Sequence, residues 1–174
     1  MVFGPLSVTW ETVQRSSYLP WLRRFFGTDA LARDSQLRAE AARAVEGLDI
    51  EAALSAHRQW KQQLRACLMS EETCMSDEIL DRALVCLDDR CDLGRWIHGK
   101  GRSRLGTFPG FAELLSHHRM FHHVAGNVMA LREAGHLGAA RRMLDDQFED
   151  YSSRVAEDLR LLRDLVNTEP THRD

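Results

Sequence analysis

AARRMLDDQFEDYSSRVAEDLRLLRDLV, residues 139–166, repeats apolar side chains at Ala140, Leu144, Phe148, Tyr151, Val155, Leu159, Leu162 and Val166. The steps are four, four, three, four, four, three and four, an alternation that keeps one stripe on a single side of an α-helix. So long a stripe needs partner helices along its whole extent. The upstream sequence supplies them. Pro109 opens a helix that runs to about Ala134, with Phe111, Leu115, His118, His122, Ala125 and Met129 on one side and Gly135 and Gly138 marking the turn that follows. Asp49 caps a helix from Ile50 to about Met69, whose stripe is Ile50, Ala53, Leu54, His57, Trp60, Leu64 and Leu68. Ser76 caps another, with Leu80, Ala83, Leu84, Leu87, Cys91 and Gly94 on its stripe and an end near Gly99. A charged, alanine-rich run from Ala30 to about Val45 reads as a further short helix.

No strand pattern interrupts this series, and only four prolines occur. The expected fold is all-α: a four-helix bundle core with an N-terminal helical extension. Residues 1–45 form an arm and short helix, 46–167 the bundle, and 168–174 a disordered tail. The glycine- and arginine-rich HGKGRSRLG, residues 98–106, lacks the spacing of a phosphate-binding loop and reads as an exposed connection. The cluster Trp21-Leu22-Arg23-Arg24-Phe25-Phe26 stands out in the N-terminal arm, either as a loosely packed terminus or as a segment that docks on a partner.

Composition narrows the function classes. The chain has 174 residues, 44% hydrophobic and 28% charged, as in a globular protein. Its net charge of −3 argues against a dedicated nucleic-acid binder, which rests on an excess of Lys and Arg. No run reaches the ~20 apolar residues of a membrane span, and the first residues do not read as a secretory signal. A cytoplasmic protein is expected, with Cys67, Cys74, Cys86 and Cys91 reduced and metal or redox chemistry favoured over a disulfide framework.

Three histidines and one cysteine fall on the apolar stripes. His57 lies between Leu54 and Trp60, and Cys91 between Leu87 and Gly94. His118 and His122 are four apart and so one turn apart on one face. Cys with three His suits tetrahedral zinc, and four protein ligands leave no position for a reacting water. Each residue also has a plain packing role: a histidine on such a face can be a hydrogen-bonded core residue, and a buried cysteine a small hydrophobe. A zinc hydrolase is disfavoured because Arg119, not Glu, follows His118.

The stretches His57-Arg58-Gln59-Trp60, Cys91-Asp92-Leu93-Gly94-Arg95-Trp96 and His118-Arg119-Met120-Phe121-His122 resemble the chemoreceptor zinc-binding family, whose pattern is H-x-x-W, C-x-L-G-x-W and H-x-x-x-H on successive helices. The resemblance spans about residues 50–132, and the helix with Ser152-Ser153 midway is similar to the family's closing helix. It implies that His57, Cys91, His118 and His122 are the ligands of one Zn2+ ion. Trp60 and Trp96 are expected to cover the metal, and Gly94 to let a neighbouring helix approach. His117 and His123 are expected in solvent, with His98, His136 and His172 in loops or the tail; His117 or His123 would enter the site if the helix phase were off.

Family members are regulatory domains on chemoreceptor rods or diguanylate cyclases. The resemblance therefore implies a non-enzymatic sensor of zinc level or cysteine oxidation, in chemotaxis or cyclic-di-GMP type pathways. No signalling rod or cyclase is legible here, so sensing is expected to require a separate signalling partner, with a homodimer as the expected assembly. The alternative is a purely structural zinc in a dimeric interaction module.

Overall fold

The helices of the computed structural model follow from these stripes and their caps. It describes residues 34–69 and 85–167. The predicted cap at Ser76, the Trp21–Phe26 cluster and the tail lie outside these residues. Helix α1 (Asp34–Val45) is followed by α2 (Ile50–Met69), α4 (Pro109–Glu133) and two composite helices. In α3, Asp92–Trp96 passes through a π-helical turn, Ile97–Gly101, into Arg102–Leu105. In α5, Leu137–Met143 passes through a second π turn, Leu144–Phe148, into Glu149–Asn167. No strand occurs among the described residues. The fold is all-α, in an arrangement compatible with a four-helix bundle core.

Local chemistry sets the boundaries. The Asp49 side chain accepts from Ala52 N–H at 2.8 Å, capping α2 as expected. Pro109 occupies the first turn of α4 behind an extended Phe108, where its missing N–H removes no helical bond. Gly135, with φ of +77°, turns the chain so that α5 packs back along α4. Phe111, Leu114, Phe121, Ala125 and Val128 of α4 are buried in one cluster with Leu144, Phe148, Val155, Leu159 and Leu162 of α5. Ala41, Ala44 and Val45 of α1 belong to the same cluster. The Trp96 indole donates to the Ala44 carbonyl at 3.0 Å, satisfying a last-turn carbonyl that α1 leaves open.

Helices α2 and α5 run antiparallel along a polar seam. Arg163 pairs with Glu51 at 2.8 Å, Ser152 meets His57, Glu149 pairs with Lys61, and Asp145 pairs with Arg65 at 3.1 Å. Numbers fall along α5 as they rise along α2, which fixes the direction.

Three expectations need correction. Cys91 does not continue a helix from the preceding segment: the chain turns from Cys86 to Cys91, and Cys91 is the N-cap of α3. Leu87 is 39% exposed, so the apolar spacing that suggested a continuous stripe there points one of its members into water. Residues 98–106 are not an exposed loop. They are largely helical, with Gly101 and Leu105 buried, because Gly101 allows Trp96 and Phe111 to close over the backbone. Lastly, Cys86 and Cys91 are free thiols, as expected of reduced cysteines, but Cys67 is disulfide-bonded.

Candidate metal centre

Cys91, His118 and His122 converge, offering ligand atoms that all lie within 4.8 Å of one another. Three local devices bring them there. Cys91 stands at the start of α3, where its sulfur accepts from Gly94 N–H at 3.2 Å. Gly94 is required by close approach: a Cβ there would fall 1.9 Å from the Asp88 carbonyl oxygen. The turn 88–91 therefore folds onto Gly94, in place of the neighbouring helix that the motif suggested. The imidazoles of His118 and His122 project from successive turns of α4, their centroids 4.7 Å apart.

The distances suit a tetrahedral ion. With zinc–sulfur and zinc–nitrogen bonds of ordinary length, a ligand-to-ligand edge is about 3.5 Å. Cys91 Sγ lies 3.3 Å from His118 Nε2 and 3.7 Å from His122 Nε2. Proton placement agrees. His122 Nδ1 sits 2.7 Å from the Val85 carbonyl oxygen. A carbonyl can only accept, so the proton is on Nδ1 and the lone pair on Nε2 faces Cys91. His118 Nδ1 is buried with no hydrogen-bond partner among the described residues, which leaves Nε2 as the nitrogen with a defined polar neighbour.

Burial keeps the histidines neutral. It pulls the pKa of His118 down to about 3, aided by His122, that of His57 down to about 4, and that of His122 below its usual value. Their lone pairs are thus available at neutral pH. Burial also raises the Cys91 thiol, with the Gly94 N–H pulling partly the other way. A cation among these groups reverses that balance, because it favours thiolate and neutral imidazole together.

His57 occupies the same cavity, an open cleft of about 1080 Å³ that Cys91, His118, His122, Trp60 and Trp96 also line. It is not within the group of three. Its Nε2 lies 2.9 Å from Ser152 Oγ, and its ring packs on Phe121 with centroids 4.4 Å apart. Trp60 lies 6.1 Å from the His122 ring and 5.3 Å from Phe121. Phe148 backs this aromatic group from α5. Both tryptophans therefore wall the site, although the polar edge of Trp96 is engaged with Ala44.

Of the remaining histidines, His123 is exposed, as expected. His117 is not: its Nδ1 meets Asp158 Oδ2 at 2.7 Å, on a carboxylate only 4% exposed. His98 is in the π turn of α3 and bonds Asp88 at 2.9 Å, tying down the turn before Cys91. Asp158 escaped the sequence reading, and Ser152 entered it only as a mark of the closing helix, not as a partner of His57; yet both carried a signal. Each is a polar residue at a buried position of α5, in phase with Phe148 and Leu162 respectively. The Val85 carbonyl left no signal, because a backbone group has no residue type.

Residues 57–129 match the family model of the chemoreceptor zinc-binding domain. No curated protein and no solved structure matches the chain. The matched span opens at His57 and takes in Cys91, His118 and His122, the residues that line the cleft. Residues 57–129 are therefore similar to the chemoreceptor zinc-binding domain, and within them Cys91, His118 and His122 form a cluster compatible with zinc.

Proposed function

We propose that the protein is a non-enzymatic cytoplasmic regulator in which zinc, held by Cys91, His118, His122 and His57, couples zinc level or cysteine oxidation to the arrangement of its helices. The observation that carries this reading is the position of Cys91. It is the half-buried cap of a short helix, reached from an open cleft, and joins α3 to two histidines of α4. Bound zinc would hold Cys91 as a thiolate, the form that oxidants attack. Oxidation of Cys91 to a sulfenic acid removes a charged soft donor. The turn 88–91 and α3 are then less firmly tied to α4, and a partner in a chemotaxis or cyclic-di-GMP type pathway reads the change. A homodimer presents that change to the partner twice.

Metal analysis of the purified chain beside Cys91→Ser, followed by zinc release during peroxide titration, tests the reading. About one zinc per chain, lower retention in the variant and release at low peroxide are expected. Zinc that stays bound through oxidation would favour a structural metal in an interaction module. Equal zinc in both proteins would remove the thiolate from the site.

A further inference from the structure

We propose that Ser152 is the docking position of His57 when that histidine is off the metal, so that the Ser152 hydroxyl competes with zinc for His57 and sets the affinity of the site. This rests on the zinc reading above. His57 lines the cleft with the other three ligands, but neither of its ring nitrogens joins the group whose ligand atoms lie within 4.8 Å. Its Nε2 is committed to Ser152 Oγ at 2.9 Å. A nitrogen so engaged, as donor or acceptor, has no lone pair to offer a cation.

Ser152 is itself 3% exposed on α5, and among the described residues its hydroxyl has His57 as its side-chain partner. Once His57 turns to the metal, the hydroxyl is left buried without that partner, which disfavours ligation. Around this contact the seam is fixed. Lys61–Glu149 and Arg65–Asp145 hold α2 to α5 on one side, and Arg163–Glu51 on the other. The exchange is therefore a movement of the His57 ring between two fixed helices. Phe121, packed on that ring, forms the wall along which it turns.

The test is zinc affinity of the full chain, measured by competition with a chromophoric chelator, for wild type, Ser152→Ala, His57→Ala and the double variant. Alanine fits within the volume of serine and is the better helix former, so the fold is retained. Ser152→Ala is expected to bind zinc about 2- to 10-fold more tightly, the factor that the net contribution of one neutral hydrogen bond corresponds to. His57→Ala is expected to bind more weakly, and Ser152→Ala to have no effect in the His57→Ala background. A merely structural serine would not produce that dependence. Unchanged or weaker binding by Ser152→Ala, or an equal gain with His57 absent, overturns the proposal. Failure of the zinc reading itself looks different: the wild type takes up no zinc, or binding survives replacement of Cys91, His118 and His122.

Discussion

Gly94→Ala adds one methyl group at the point where the chain folds back on itself before the metal-binding cysteine. An ideal Cβ at this position lies 1.9 Å from the Asp88 carbonyl oxygen, 2.9 Å from its carbon and 3.2 Å from Asp89 Cα. All three are backbone atoms, so no side chain can rotate aside. Ordinary contact begins at 3.4 Å, and the turn must retreat by about 1.5 Å to reach it. The same turn ends at Cys91, whose sulfur is held by Gly94 N–H. Metal–ligand bonds tolerate displacements of only ~0.2 Å, several times less than the shift required. The expected result is a loss of zinc affinity of about 10- to 100-fold, the range seen when the groups that orient a ligand are lost. Metal-free stability should fall by about 1–3 kcal/mol from overpacking. Chelator competition reads the first effect and urea unfolding of the metal-free protein the second. Gly138→Ala is the control, because its Cβ would meet Arg142 Nη1 at an ordinary 3.7 Å. Wild-type zinc affinity in Gly94→Ala, or an equal loss in Gly138→Ala, would refute the reasoning.

Trp96→Phe keeps the aromatic wall but leaves the Ala44 carbonyl without its indole donor; a loss of about 1–2 kcal/mol in urea unfolding is expected, and an unchanged midpoint would count against that bond. The metal-free protein should lose stability as pH falls from about 6.5 to about 4. The unfolded chain gains protons in that interval, while His57 stays neutral down to about 4 and His118 to about 3. His57 alone is worth on the order of 3 kcal/mol at full effect, and a flat urea-midpoint profile between pH 7.5 and 4 would show that these imidazoles are not buried. Lys61→Ala, which removes a partly exposed pair with Glu149, should cost less than about 1 kcal/mol and still less at high salt; a larger loss that salt does not reduce would mean the seam is held by more than charge.

Much of the molecule was legible before any coordinates. The stripe from Ala140 to Val166 required a long helix with partners, and the stripes of α2 and α4 supplied two of them, because burial imposes helical periodicity on residue type. Asp49 and Pro109 were legible as helix starts because capping depends on neighbours in the chain. His118 and His122 were legible as a pair for the same reason: four residues in a helix make one turn whatever lies around it.

Contacts between distant segments were decided by the tertiary structure. Cys91 had the spacing of a stripe, but the turn from Cys86 to Cys91 made it the cap of a new helix, since the Asp88 carbonyl packs on Gly94. The HGKGRSRLG segment looked polar enough for a loop, yet Trp96 and Phe111 close over Gly101 and hold it helical. The sequence by itself determined the all-α class and picked out Cys91, His118 and His122, which the fold brings together, because both depend on short-range periodicity and side-chain chemistry. Only the folded chain decided that His57 rests on Ser152, that His122 Nδ1–H donates to the Val85 carbonyl, and that His117 is paired with Asp158. Those partners are 95, 37 and 41 residues apart, and which of them meet depends on how whole helices pack.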